Sequence, residues 1–233
     1  MSTPPPSPCT RITLATPDGR SRLAALRAVL ASQGDVVSPA GRQRTLDVFG
    51  EPLTPRQVVE RICGEVRTRG IEAVLEYSRR IDGATIDSDS LFVPAAALDE
   101  AHRGVERGFI EAVRRIRDRV ERFQRALLCR DVAVPLDGGG ELRQRYGDIA
   151  AEQRYVPLDR VGVCVPGGAA AYPSTLLMTV VPAEVAGVRE IVVVAPPTRF
   201  GSENVHVLAT CRELGVSRVM RAGGAQAVAA LAY

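Results

Sequence analysis

Val161-Gly-Val-Cys-Val-Pro-Gly-Gly168 is the stretch whose reading decides the fold. A short apolar run broken by proline and paired glycines has the length and Val-rich composition of a strand covered on both faces and followed at once by a turn. Two later stretches repeat the form: Ile191-Val-Val-Val-Ala-Pro-Pro197 and Val219-Met-Arg-Ala-Gly-Gly224. Their starts lie roughly thirty residues apart, which is the length of a strand, a crossover helix and a turn. Helical segments are expected between them, at 174–186 and 204–214. This part of the chain is therefore predicted to be α/β, an incomplete Rossmann-like, doubly wound parallel sheet. The last helical segment, 226–233, stops in an Ala-rich apolar run without a capping residue, and a sheet of three strands is expected to leave an apolar edge bare. On this reading the chain is the front part of something longer.

Outward from that sheet, the preceding residues read as helices. Thr54, Pro55 and Gln57 form a helix start in which the hydroxyl caps the third amide and the glutamine reaches back. Val58, Val59, Ile62, Cys63 and Val66 then mark one face. Gly70 closes that helix, and a second runs through Val74, Leu75 and Ser78 to the Asp82-Gly83 turn. From Pro94 to about Leu128 the apolar positions Leu98, Val105, Phe109, Val113, Ile116, Val120 and Phe123 recur every three or four residues, predicting one long helix with an Arg- and Glu-rich outer face. Val132 to Val134, the Gly138-Gly139-Gly140 turn and Leu142 to Tyr146 predict a hairpin. The expected organisation is a disordered leader and peripheral helix over 1–50, the latter carrying Leu23, Leu26, Val29 and Leu30 ahead of a polar stretch. A helical part follows over 51–156, and a Rossmann-like domain over 157–233.

Composition narrows the class. The chain has 233 residues, 45% of them apolar and 24% charged, and no apolar run reaches the roughly 18 residues of a membrane span. A soluble globular protein without membrane contact is expected. All thirty basic residues are arginines, set against 27 acidic ones and spread along the chain, so nucleic acid is not an expected partner. Cys9, Cys63, Cys129, Cys164 and Cys211 stand at least 35 positions apart, which fits reduced thiols in a cytoplasm better than a disulfide framework or a zinc knuckle.

The candidate site residues gather at the carboxyl ends of the predicted strands, where open α/β sheets bind ligands. Gly167 and Gly168 after the first strand, and Gly223 and Gly224 after the third, can let a phosphate approach the backbone, although a plain tight turn requires glycine there as well. Neither pair belongs to a G-x-G-x-x-G fingerprint. Cys164, at the end of the first strand, has no histidine near it in sequence, so a buried inert thiol competes with a nucleophile. Ser174 and Thr175 can bind phosphate or simply cap a helix. His102 and His206, the two histidines, read as ordinary helix residues.

As continuous words the segments are more specific. Val161 to Met178, then Pro182-Ala-Glu-Val-Ala-Gly-Val188, then Ala222-Gly-Gly-Ala-Gln-Ala-Val-Ala-Ala-Leu-Ala232 closely resemble histidinol dehydrogenase. The resemblance runs from about Pro52 to Tyr233; in the helical part it is carried by Glu65 to Gly70 and by Glu76-Tyr77.

The resemblance implies a zinc- and NAD-dependent enzyme that oxidises L-histidinol to L-histidine through L-histidinal at the end of histidine biosynthesis. It also implies a homodimer, or here a pairing with a separate C-terminal half, and two Rossmann-like domains. Gln226 matches a family NAD contact. Cys164 stands where the family usually has Tyr, a further NAD contact, while Ile71 and Gln124 replace a frequent Asp and a common His. The family's zinc ligands and its Glu-His acid/base pair have no counterpart in this sequence, so neither a metal-ligand set nor a catalytic residue is assigned here and the chain alone is expected to be inactive. The alternative reading is a non-catalytic dinucleotide-binding or interaction module derived from that enzyme.

Overall fold

The computed structural model describes residues 12–32, 37–136 and 149–233. The chain divides into two compact units, Met1–Gly64 and Glu65–Tyr233.

The first unit is helical. Helix α1 spans Pro17–Ser32 and α2 spans Pro39–Phe49. The second of these falls largely within the stretch read as polar and peripheral. Ser38 caps it by accepting from the Gly41 amide at 3.1 Å, and Gly50 ends it in the left-handed region, so local capping builds a helix where apolar periodicity is faint. Helix α3, Pro55–Arg69, opens with the predicted capping box: Thr54 N donates to Gln57 Oε1 at 2.9 Å and Gln57 N to Thr54 Oγ1 at 3.3 Å. Residues 1–11, where the expected leader begins, lie outside the described residues.

The second unit carries the sheet. Helix α4 is Ile71–Asp82, closed by Gly83 as expected. The single helix predicted from Pro94 to Leu128 is two helices, α5 (Ala95–Gly104) and α6 (Arg107–Leu127), because the backbone turns extended at Val105 and Glu106. Apolar periodicity runs unbroken across that joint and so conceals it. Strands β1 (Val132–Leu136) and β2 (Ile149–Gln153) pair antiparallel, and the glycine turn and the Leu142 to Tyr146 segment of the predicted hairpin lie outside the described residues.

The three predicted βα units are present. Strand β3 (Arg160–Cys164), helix α7 (Pro173–Ala186), β4 (Glu190–Val194), α8 (Val205–Glu213), β5 (Arg218–Met220) and α9 (Gly224–Ala232) follow in order. The sheet is parallel with order β3-β4-β5. Val163, Val193 and Val219 point from one face into the main core, with Leu176, Leu177, Val180, Val181, Val207 and Leu208 of α7 and α8. Helices α5 and α6 pack outside α7 and α8 and contribute Leu98, Ile110 and Val113. Pleat alternation sends Gly162 to the opposite face, where the missing side chain makes room for Leu231 of α9, itself packed on α4. Helices therefore cover both faces.

The bare edge expected of this sheet is covered on β5. Val93 N donates to Val219 O at 2.8 Å, Arg221 N donates to Leu91 O at 2.7 Å, and Phe92 forms an antiparallel bridge with Met220. This strap occupies the hydrogen-bonding groups of an edge strand.

Candidate cofactor site

Three loops leave the carboxyl ends of β3, β4 and β5 side by side. The ladder continues past the strands through Val165 N to Val194 O at 2.9 Å and Ala195 N to Met220 O at 3.0 Å, so the first residues of each loop are fixed by backbone bonds. The middle loop folds back on itself: Ser202 N and Oγ both donate to Pro196 O, at 2.9 and 3.2 Å. Thr198 Oγ1 then donates to Gly167 O at 2.6 Å, joining the middle loop to the first.

The four candidate glycines divide into two kinds. Gly167 and Gly223 are buried. A Cβ on Gly167 would lie 2.9 Å from Thr198 Oγ1, and one on Gly223 would lie 2.7 Å from Pro196 Cγ. Both are held to glycine by the protein's own middle loop, so close packing accounts for them without a ligand. Gly168 and Gly224 are exposed. Gly168 has open space where a side chain would go. Gly224 adopts φ +61°, at the first residue of α9, and a Cβ there would lie 2.8 Å from Gln226 Oε1. Its positive φ and the nearness of the Gln226 amide oxygen both hold this position to glycine.

Gln226 is only 1% exposed. Its Nε2 donates to Asp82 Oδ2 at 3.1 Å, across from the end of α4. Burial pushes the Asp82 carboxyl above its ordinary range. Asp82 entered the sequence reading only as a turn residue, and with 144 positions between the partners no local pattern pairs it with Gln226. Thr198 was likewise missed, since a threonine after two prolines reads as loop.

Cys164 lies on the same pleat face as Gly162 and is exposed overall, while the protein around its sulfur raises the thiol's pKa. A thiol held protonated is a poor nucleophile. Ser174 and Thr175 do not cap α7 through their side chains; the helix begins at Pro173 with Tyr172 in the capping position, where proline's fixed φ suits the first turn.

The histidines are both engaged away from these loops. His102 Nε2 stands 2.7 Å from Glu213 Oε2, and the same carboxylate receives Arg114 at 2.7 and 3.0 Å. His206 meets the edge of Phe109 and lies 3.5 Å from Glu106. Among the described residues no three His, Cys, Asp or Glu side chains converge as a metal-ligand set. No helix among them is long and apolar enough to cross a membrane.

A parallel sheet flanked by helices, with glycine turns lined up at its carboxyl ends, places the protein among Rossmann-like α/β proteins. Residues 52–233 match the family described as histidinol dehydrogenase, and the chain belongs to that family. It is 54% identical over 211 residues to the histidinol dehydrogenase of Rhodopirellula baltica, an alignment that covers 91% of this chain and 44% of that protein. It is 42% identical over 192 residues to that of Heliobacterium mobile, covering 82% and 42%. The crystal structure of histidinol dehydrogenase from Elizabethkingia anophelis shares the fold, with a TM-score of 0.65 and 23% identity over 75% of this chain and 38% of that one. The chain thus spans less than half the length of these relatives.

Proposed function

We propose that this chain is the cofactor-side, N-terminal part of a histidinol dehydrogenase, working in the NAD-dependent oxidation of L-histidinol to L-histidine through L-histidinal. Family membership supports the reaction class, and the Gln226 Oε1 atom lying beside exposed Gly224, in the turn after β5, supports the place. NAD supplies the hydride acceptor. Exposed Gly168 and Gly224 leave backbone open to it, Gln226 offers an acceptor oxygen, and Gly167 and Gly223 hold the loops in place. Cys164 lacks the ring and hydroxyl of the tyrosine usual at its position and offers the cofactor less surface.

Zinc does not fit the described residues, because no three ligating side chains converge and both histidines are engaged with glutamates. The zinc-dependent chemistry is therefore assigned to a part of the enzyme other than these residues, completed in a homodimer or by a separate C-terminal half. The chain alone is proposed to bind NAD without oxidising histidinol, in keeping with a cytoplasmic biosynthetic enzyme.

Two measurements test this. Calorimetric titration of the chain with NAD is expected to show binding that weakens in Gln226→Ala, and equal affinities would remove Gln226 from the site. Incubation with L-histidinol and NAD is expected to yield no NADH; chelator-sensitive NADH production would overturn the assignment of the chemistry elsewhere.

A further inference from the structure

A carboxylate can only accept hydrogen bonds, whereas a primary amide donates from one side and accepts on the other. Asp82 Oδ2 takes the Nε2 side of Gln226 at 3.1 Å. The amide's polarity is thereby fixed, and Oε1 is the atom beside Gly224, 2.8 Å from where a Cβ would stand. Both residues are restrained: Gln226 is buried in α9, and Asp82 ends α4, which packs on α9.

We propose that Asp82 is a positioning residue for the cofactor site: it holds the Gln226 amide so that an acceptor oxygen, and never the NH2 group, faces a ligand lying over Gly224. The inference rests on the reading of Gln226 as a cofactor contact and deepens it by naming the chemistry recognised. An acceptor at this point takes a hydrogen-bond donor of the dinucleotide, a ribose hydroxyl or an amide or amino N–H. It repels phosphate oxygens, which need donors.

The experiment reverses the polarity of the pair in the full chain and reads NAD affinity. In Asp82→Asn, residue 82 can donate or accept, the Gln226 amide is free to flip, and affinity is expected to fall roughly tenfold, the scale of one hydrogen bond. This variant should fold at least as well as the parent, because burial already disfavours the Asp82 charge. Gln226→Glu sets two carboxylates against each other and is expected to bind weakly. In the double variant, Asp82→Asn with Gln226→Glu, the new amide at position 82 donates to the new carboxylate at position 226, whose other oxygen faces Gly224. This double variant is expected to recover most of the lost affinity. A role limited to packing α4 on α9 predicts no such mutual rescue. Parental affinity in Asp82→Asn, or a double variant no tighter than either single one, overturns the positioning role. Parental affinity in Gln226→Ala, or no NAD binding by the unmodified chain, overturns the reading on which it rests. Thermal unfolding of each variant separates loss of binding from loss of fold.

Discussion

Thr198 Oγ1 donates to the carbonyl oxygen of Gly167 at 2.6 Å, and the threonine hydroxyl in turn accepts from Gly201 N at 3.1 Å. One hydroxyl thereby ties the loop after β4 to the loop after β3 while closing its own turn. Thr198→Val keeps the volume and removes these bonds and a longer one from Phe200 N at 3.4 Å; the Gly167 carbonyl loses this donor, while the Gly201 amide keeps its bond to Thr198 O at 2.9 Å. Its expected cost is about 2 kcal/mol in chemical denaturation. Thr198→Ser retains the hydroxyl and should lose less than half as much.

Gly224→Ala combines two penalties, a positive φ that disfavours a side chain and a methyl group 2.8 Å from Gln226 Oε1. A stability loss of about 1 to 2 kcal/mol is expected by thermal unfolding. Calorimetry should show NAD binding abolished even where the variant remains folded, because the methyl displaces the Gln226 amide oxygen.

Cys164→Tyr tests the departure at that position. The site is exposed, so a ring can be placed without displacing buried side chains. NAD affinity is expected to rise, by roughly threefold to tenfold. Unchanged affinity would mean that the ring finds no cofactor to touch.

Glu213 gives the fold a pH dependence of definite sign. Hydrogen bonds from Arg114, with His102 adding to them, hold its carboxyl below the ordinary value of 4.5. A carboxyl depressed in the folded state stabilises fully above its unfolded value, and that contribution disappears as pH falls through the folded one. Glu213→Gln is therefore expected to destabilise by about 2 kcal/mol at neutral pH. The gap from the parent should shrink as denaturation is measured at pH values progressively below 4.5. A constant gap would place the effect in shape and not in charge.

The helix α6 offers a contrast between residues that look alike in sequence. Val113 and Phe123 belong to one predicted apolar stripe, yet Val113 is buried in the core and Phe123 is 61% exposed. Val113→Ala should cost about 2 kcal/mol. Phe123→Ala should stay within about 0.5 kcal/mol, both by urea denaturation.

That contrast shows where sequence reading stops. The strands were legible because continuous Val and Ile runs ending in Pro or Gly have few other structural uses, and the start of α3 was legible because a capping box is wholly local. The break between α5 and α6 was not, since an extended joint of two residues leaves the apolar period intact. Helix α2 was overlooked for the opposite reason: capping marks its ends, but among its residues only Val48 is buried. At the candidate site the glycine turns were visible and their division of labour was not. Whether a glycine admits a ligand or merely a neighbouring loop depends on Pro196 and Thr198, which pack against it from another βα unit. Asp82 had no signal at all, because its partner is in contact only once the helices have docked.

The strap of Leu91 to Val93 along β5 has a kinetic meaning. Its two sides are separated in sequence by more than half of the chain, so the pairing cannot form on a growing polypeptide until Val219 has been synthesised. Contacts of such long sequence separation require a large loop to close first and are slow to form. Until that loop closes, the strap and, once made, the outer edge of β5 both expose unpaired backbone groups to other chains. Docking of the strap on β5 is thus a late, non-local step, and it is the one that removes this edge from reach of other chains.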